Sequence, residues 1–365
     1  SAVHRLIMIL VIALTGCTGM KNISSDDPLY IGHDINLTER NAETKKLVPV
    51  IKGVLKPSPN NKFLWMRPAL ARYNMLSDSA RTKKFWKKKI TGPVLLSHVN
   101  PNQISEVIQN RAFHHGYFNN TVAFDTLRTR KRKAKYLYTI TPHEPYRFES
   151  VNFPKPDNDL TKEVSNSQTE SLLKKGGIYS LDAVKNERIR IDRNLKEHGY
   201  LYFNPEFITV RADSVTGDHK VNVAVTVKPE TPPESRKSYM IRKVFIHDDH
   251  VLGKNEADTL VFDSYFLISQ HKALRFNALQ QGIFLKPGEV YARSNYMHTI
   301  RYLNELPIIR NTSLKFSPYG DTDELDVTLY LSQRKRFAYT AEFNAIFRST
   351  NYFGPGVIFS YTDRN

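Results

Sequence analysis

One order of predicted elements recurs three times along this 365-residue chain, most clearly in the middle copy. There, residues 146–153 alternate apolar and polar side chains, which is typical of a β-strand with one buried face. In order, the predicted elements of this copy are strand 146–153, helix 160–175, a helix from Ser180 to Gly199, and strands 207–212 and 220–227. The order β-α-α-β-β predicts a small α+β domain. Its recurrence indicates an array of similar domains, each with its own core.

The first copy repeats the second half of this pattern closely. Its second helix begins at Asn100 and Pro101, a capping residue followed by the proline that is favoured at the first helical position. That helix ends at Gly116-Tyr117, as the corresponding helix of the middle copy ends at Gly199-Tyr200. Its other predicted elements are strand 29–37, helix 39–55, an insertion at 56–99, and strands 121–124 and 136–141.

The third copy keeps the same order but has a different helix end. Leu306-Pro307 stands where the other two copies have Gly-Tyr. The predicted elements of this copy are strand 239–246, an insertion at 248–276, helix 278–285, a second helix that holds Tyr296 and Leu303, and strands 312–316 and 325–331.

The first residues predict export. His4 and Arg5 are basic, and the apolar run at 6–14 is far shorter than the roughly 20 residues of a membrane-spanning helix. This is the pattern of a signal peptide. Residues 14–17, Leu-Thr-Gly-Cys, resemble the lipobox of bacterial lipoproteins, so Cys17, the single cysteine, is predicted to carry a lipid. The alternative is a chance cysteine at the end of a signal peptide.

The chain is strongly basic: 53 Lys and Arg residues against 36 Asp and Glu residues give a net charge of +17. Such a charge favours nucleic acid, anionic lipid or an acidic protein as a partner. Export makes nucleic acid an unexpected partner and leaves membrane lipid and envelope proteins. Two basic runs, at 81–89 and 128–135, are either solvated surface or contacts with lipid headgroups. The candidate headgroup contacts are Lys87, Lys88, Lys89, Arg130, Lys131 and Arg132.

Residues 337–347 alternate again, over the length of a tilted membrane-spanning strand, about 9–11 residues. Apolar side chains occupy every second position and polar ones lie between them. A turn is predicted at 351–356, and the alternation resumes at Val357. A soluble hairpin is the alternative. The candidate membrane-facing residues are Phe337, Tyr339, Phe343 and Phe347.

These patterns divide the chain into six predicted segments. They are a signal peptide with lipobox at 1–17, a tether at 18–28, three α+β domains at 29–143, 146–229 and 239–333, and the start of an outer-membrane β-barrel at 335–365.

Serial β-α-α-β-β units resemble the POTRA (polypeptide-transport-associated) domains of the outer-membrane assembly family typified by BamA and TamA. The quoted motifs are a Gly-x-x-Tyr-like start, as at Gly288 to Tyr291, and a Gly-Tyr end of the second helix, followed by aromatic strands. The lipobox points to a lipoprotein subgroup of the TamA-like branch. The resemblance implies tandem POTRA domains in the periplasm, a barrel in the outer membrane, and insertion of barrel proteins without ATP or a cofactor.

The expected function is binding rather than catalysis. A free sheet edge can accept an extended client strand, and the third copy lies next to the barrel, so Thr312, Ser313, Leu314, Lys315 and Phe316 are the candidate edge. The expected partners are unfolded outer-membrane proteins, outer-membrane lipid and a further periplasmic or inner-membrane protein. A periplasmic scaffold lipoprotein without a barrel is the alternative. An envelope enzyme has no candidate catalytic residues here.

Three polar clusters are weak candidates for a metal site. They are the run His247 to His250, the pair His114-His115, and the carboxylates between Asp321 and Asp326. Each stands where a turn or a helix end is predicted, and the carboxylate cluster has neither the glycine nor the terminal glutamate of a calcium loop. No metal is therefore predicted.

Overall fold

The computed structural model describes residues 23–61, 67–75, 92–130, 132–215, 218–248, 258–269, 276–335, 337–348 and 352–364. The chain divides into two compact units, and the division passes through the middle repeat. The first unit holds the described residues up to Val151, with Leu173–Lys185 and Ala212–Val223. The second holds Asn152–Leu172, Asn186–Arg211 and the described residues from Ala224 onward.

The first repeat has a three-stranded sheet in the order β1-β3-β2. Strand β3 (Lys133–Thr141) pairs in parallel with β1 (Leu29–Leu37) and antiparallel with β2 (Thr121–Arg130). Every second side chain of β3 is buried, as a strand with one core face requires. The helices are α1 (Leu47–Lys52), α2 (Pro68–Met75) and α3 (Pro101–His114).

Helix α3 begins as predicted, but α1 is much shorter than the expected helix at 39–55. The side chain of Asn100 accepts a hydrogen bond from the N–H of Gln103 across 3.2 Å at the start of α3. Ahead of α1, Asn41 accepts from the N–H groups of both Glu43 and Thr44, at 3.0 and 2.7 Å. These side-chain bonds hold residues 41–44 in a turn, because they compete with helical backbone bonds.

The second repeat has strand order β4-β6-β5 and the same sequence of elements. The elements are β4 (Arg147–Asn152), α4 (Asp159–Asn166), α5 (Leu181–Glu197), β5 (Ile208–Val215) and β6 (Lys220–Val227). The predicted helix 160–175 is wrong at its end, since α4 stops at Asn166. The hydroxyl of Ser167 donates to the Val164 carbonyl across 2.8 Å, and a 3-10 turn follows. The buried Glu187 carboxylate then accepts from the Leu172 N–H at 2.8 Å.

The third repeat has five strands in the order β10-β11-β7-β9-β8. Its elements are β7 (Met240–His247), β8 (Asp258–Phe262), β9 (Tyr265–Ser269), α6 (Phe276–Gln280), α7 (Arg293–Glu305), β10 (Ile309–Pro318) and β11 (Glu324–Gln333). The insertion predicted at 248–276 therefore contributes a hairpin, β8–β9, which extends the sheet. Strand β9 pairs in parallel with β7, and its residues Tyr265 and Leu267 are buried in the core of the repeat, so the hairpin shares that core.

The last two strands form a separate two-stranded sheet of β12 (Phe337–Arg348) and β13 (Tyr352–Asp363). The turn predicted at 351–356 is wrong, because β13 already begins at Tyr352. Pro355 lies in β13 opposite Ala345. A proline is tolerated in such a strand where it does not need to donate to the ladder.

The predicted fold class is confirmed: the chain is α+β, built from tandem β-α-α-β-β units. In every repeat the last strand lies beside the first, and the strand before the last one (β2, β5 or β10) forms an edge. Within the described residues, no helix is long and apolar enough to cross a membrane.

The Gly-Tyr helix ends are where one repeat contacts the next, and we term these contacts Gly-Tyr joints. Gly116 has a φ of +94°, and a Cβ there would lie 2.5 Å from the carbonyl oxygen of Tyr179. The Gly116 carbonyl accepts from the N–H of Tyr146 across 3.2 Å. The Tyr146 carbonyl in turn accepts from the N–H of Tyr179 across 2.7 Å.

The second joint repeats this geometry. Gly199 has a φ of +96°, and its carbonyl accepts from the N–H of Tyr239 across 3.0 Å. The Tyr239 carbonyl accepts from the N–H of Tyr291 across 2.9 Å. A Cβ at Gly199 would lie 2.1 Å from the hydroxyl oxygen of Ser238. Glycine is therefore required at this position for two reasons: its backbone conformation and the close approach of Ser238.

Pro28 takes the place of these tyrosines ahead of β1. Its carbonyl accepts from the N–H of Leu96 across 2.9 Å, as the tyrosine carbonyls do in the later repeats. Proline has no N–H and cannot donate to a preceding Gly-Tyr end. The third repeat has Leu306-Pro307 at its helix end, so the joint occurs twice in the described part of the chain.

Candidate strand-binding edge

The predicted client-binding residues, Thr312 to Phe316, lie on β10 at one edge of the five-stranded sheet. Strand β11 pairs with β10 on one side. On its other side, no strand of the described ranges pairs with it. This location agrees with the prediction that the strand after the second helix is a sheet edge. The same position is taken by β2 and β5 in the first two repeats.

Hydrogen bonds at both ends of the β10–β11 ladder show which backbone groups face the free edge. The N–H of Tyr319 donates to the Glu324 carbonyl across 3.0 Å, and the N–H of Arg334 donates to the Ile308 carbonyl across 2.8 Å. Bonded and non-bonded pairs alternate along an antiparallel ladder. With the observed register, Ser313 and Lys315 bond to β11. Three residues therefore direct their backbone N–H and C=O groups outward: Thr312, Leu314 and Phe316.

The side chains of these outward-bonding residues anchor the strand. Thr312 is buried, and Leu314 and Phe316 pack against the core of the repeat. The Phe316 ring lies 5.3 Å from that of Tyr291, edge to face. Since the side chains are held in the core, the edge presents its backbone in a fixed, extended form, which is what an incoming strand needs.

The β12–β13 sheet has one strongly apolar face, as predicted. The register places the odd-numbered residues of both strands on that face. Tyr339, Phe343 and Phe359 there are 81%, 80% and 80% exposed. Phe337 lies on the same face, and the backbone of Phe347 lies in β12, but the Phe347 side chain is outside the described structure. The opposite face carries Thr340, Glu342, Asn344, Ser360 and Thr362.

The remaining predicted sites are only partly described. Cys17, Lys87, Lys88, Lys89 and Lys131 lie outside the described residues. Arg130 ends β2 and is exposed, and Arg132 directly precedes β3. The hairpin between β2 and β3 is thus basic at its tip, with Arg128 and Lys133 as neighbours.

The candidate metal ligands mostly serve other contacts. His115 Nδ1 lies 3.0 Å from a carboxylate oxygen of Asp182. Asp323 accepts from Lys237 across 2.9 Å, and this bond raises the pKa of the Lys237 ammonium. Asp326 pairs with Arg242 and raises the pKa of its guanidinium. Asp248 accepts from the Ser269 hydroxyl at 2.6 Å, while Asp249 and His250 lie outside the described residues. The described residues contain no group of three His, Cys, Asp or Glu side chains that could hold a metal.

Comparison with solved structures finds POTRA domains at low identity. POTRA3–5 of BamA from Haemophilus influenzae is 11% identical, with a TM-score of 0.42, and the match covers 84% of this chain and 96% of that chain. BamA from Haemophilus ducreyi lacking POTRA domains 1–3 is 12% identical, with a TM-score of 0.37, and the match covers 55% of this chain and 32% of that chain. POTRA1–3 of Omp85 from Anabaena is 10% identical, with a TM-score of 0.26, and the match covers 85% of this chain and 96% of that chain. No family model and no curated protein matches.

Proposed function

We propose that this chain is part of an outer-membrane protein-assembly factor that binds unfolded barrel proteins by strand addition. The observation that supports this is the free edge of β10, where Thr312, Leu314 and Phe316 direct their hydrogen-bonding groups away from the sheet. A client strand that pairs there forms main-chain hydrogen bonds, which depend little on the client's sequence. Such binding suits a factor that handles many different barrel proteins.

The second part of the proposal concerns β12, the strand that follows β11 in sequence. We propose that β12 is the first strand of a membrane barrel, with Phe337, Tyr339, Phe343 and Phe347 facing lipid. A client held at β10 is then bound by the last repeat before the proposed barrel strand, with β11 between the two in sequence. No step of this function requires catalysis, ATP or a cofactor.

The proposed location is the outer membrane, with the three repeats in the periplasm. A lipid on Cys17 anchors the start of the chain, as in a TamA-like lipoprotein subgroup. Two basic clusters contact anionic headgroups: Lys87, Lys88 and Lys89, and Arg130, Lys131 and Arg132. Each of these basic residues contributes about 1 kcal/mol near the membrane surface. Labelling with a radioactive fatty acid tests the anchor, because Cys17→Ala abolishes the label if the proposal is right.

The test of client binding uses proline as a probe of the outward N–H. Leu314→Pro removes an N–H that faces the free edge, whereas Leu314→Ala shortens the same side chain and keeps that N–H. Photocrosslinking of the protein to an unfolded barrel-protein peptide measures capture. We expect Leu314→Pro to lose most of the crosslink and Leu314→Ala to keep it.

A second proline variant separates binding from folding. Lys315→Pro removes an N–H that bonds to β11, so we expect it to lower the denaturant midpoint of unfolding. The midpoint of Leu314→Pro should instead stay close to that of Leu314→Ala. Equal crosslinking by folded Leu314→Pro and Leu314→Ala proteins contradicts client binding at this edge.

A further inference from the structure

The described residues that precede β1, Ile23 to Pro28, are packed on the first repeat. Ile23 is buried in a small cluster with Leu29 of β1 and Leu70 of α2. The Asp27 carboxylate accepts from the N–H and the hydroxyl of Ser97, across 3.0 and 2.6 Å. Apolar burial and hydrogen bonds to a carboxylate therefore hold this segment in place. We call Ile23 to Pro28 the docked segment.

The docked segment lies beside the hairpin that joins β2 to β3. Arg128 Nη1 donates to the carbonyl oxygen of Ser25 across 3.4 Å. The N–H of Leu29 donates to the carbonyl oxygen of Arg132 across 3.0 Å, and Leu29 pairs with Lys133 at the start of β3. The chain therefore enters the first repeat next to the tip of this hairpin.

The tip of the hairpin is strongly basic. Residues 128–133 have the sequence Arg-Thr-Arg-Lys-Arg-Lys, which contains no carboxylate. Of these, we call the three exposed arginines the basic tip: Arg128, Arg130 and Arg132. The carboxylates that accompany it are Asp26 and Asp27 of the docked segment, and Asp27 is already bonded to Ser97. The remaining excess of positive charge favours an anionic partner.

The predicted lipid lies a short distance along the chain from this basic tip. Cys17 precedes Ile23 by six positions, and six extended residues span at most about 20 Å. Because the docked segment is fixed beside the hairpin, a lipid on Cys17 keeps the basic tip close to the membrane that holds it. The short connection raises the effective concentration of headgroups at the tip.

We propose that the basic tip binds anionic lipid headgroups of the membrane that holds the lipid, so that the first repeat lies against that membrane with its β2–β3 hairpin toward the surface. The lipid and the arginines then bind one patch of membrane, and electrostatic attraction sets the orientation of the repeat. An acidic protein is the disfavoured partner, since the anchor already supplies the membrane surface. The inference rests on the lipid anchor of the proposed function and is independent of client binding at β10.

The test measures how close each end of β2 lies to lipid. Thr129→Cys places a thiol on the hairpin tip, and Asn119→Cys places one before the other end of β2, about 30 Å away. Cys17 is the single cysteine, so when it carries lipid a thiol-reactive fluorophore labels the introduced cysteine alone. The full chain is bound to vesicles of phosphatidylglycerol and phosphatidylethanolamine that contain a brominated quenching lipid. We expect quenching at least about fivefold stronger from Thr129 than from Asn119.

A charge reversal tests the role of the arginines. Arg130→Glu should lower the quenching of the Thr129 probe at least about fivefold. Lys45→Glu is the control, because Lys45 is exposed and follows the opposite end of β1. It should leave the quenching unchanged. Vesicles of phosphatidylcholine alone should reduce the Thr129 signal to that of Asn119.

The outcomes separate failure of the anchor from failure of this inference. A chain that does not float with the vesicles, or whose Cys17 takes the fluorophore, overturns the lipid anchor and this inference with it. A chain that floats but is quenched equally at both positions, or is unaffected by Arg130→Glu, overturns this inference alone. Quenching that requires an added envelope extract indicates an acidic protein and also overturns it. Client crosslinking at β10 is unchanged by Arg130→Glu in every case.

Discussion

The backbone N–H of Tyr239 donates to the carbonyl oxygen of Gly199 across 3.0 Å, and this bond connects the end of helix α5 to the start of strand β7. Tyr146 and Gly116 make the same contact between α3 and β4. The Gly-Tyr sequence therefore does more than end a helix, because the carbonyl of its glycine accepts a hydrogen bond from the start of the next repeat. This explains why the motif is found at the first two helix ends and not at Leu306-Pro307.

The first prediction follows from the space around Gly199. Gly199→Ala places a Cβ 2.1 Å from the Ser238 hydroxyl oxygen and 2.9 Å from Val290, in a backbone conformation that disfavours alanine. We expect it to lower the free energy of unfolding by about 2–4 kcal/mol. The measurement is a urea unfolding curve.

Gly288→Ala is the matched control for that prediction. Gly288 has a φ of +82°, but a Cβ there meets nothing within 4 Å. It therefore carries the backbone cost, about 1 kcal/mol, without the clash. If the two variants lose equal stability, the close approach at the joint contributes nothing.

The second prediction concerns the pH dependence of stability. Burial raises the pKa of the Tyr291 phenol to about 12. A raised pKa in the folded state stabilises the protein fully below the unfolded value, near 10, and this contribution is lost as the pH rises through about 12. As the pH rises between these two values, the free energy of unfolding should fall less in Tyr291→Phe than in the unmodified protein. We expect the difference between the two losses to be about 1–3 kcal/mol. Parallel curves of unfolding free energy against pH would contradict this.

The third prediction concerns the apolar face of β12. With β12 as the proposed membrane strand, Phe343→Arg directs a charge toward hydrocarbon, which costs about 2–4 kcal/mol near the midplane. Asn344→Arg changes the neighbouring residue on the polar face and should be tolerated much better. A membrane-insertion assay compares the two. Equal insertion would show that β12 does not span the membrane.

The sequence predicts the repeat well where one physical signal dominates. The alternation in β3 and β6 is produced by a single buried face, and it marks these strands unambiguously. The capping residue Asn100 marks the start of α3 in the same direct way. Such signals are local, so no partner elsewhere in the chain is needed to interpret them.

The errors arise where distant contacts decide the structure. Hairpin β8–β9 is too short to be recognised alone, and it becomes a strand pair because β7 offers a parallel neighbour. Helix α4 ends early because Ser167 and the buried Glu187 bind backbone groups that a longer helix would need. Pro355 marks a turn by composition, yet it lies in β13.

Amide hydrogen exchange along β10 tests strand addition most directly, because it reads each N–H separately. The protein is measured alone and with a saturating unfolded barrel-protein peptide. Strand addition predicts slower exchange, by at least about tenfold, at Thr312, Leu314 and Phe316, with little change at Ser313 and Lys315, which already bond to β11. Unchanged exchange at the three outward amides, or uniform slowing at all five residues, would contradict the account.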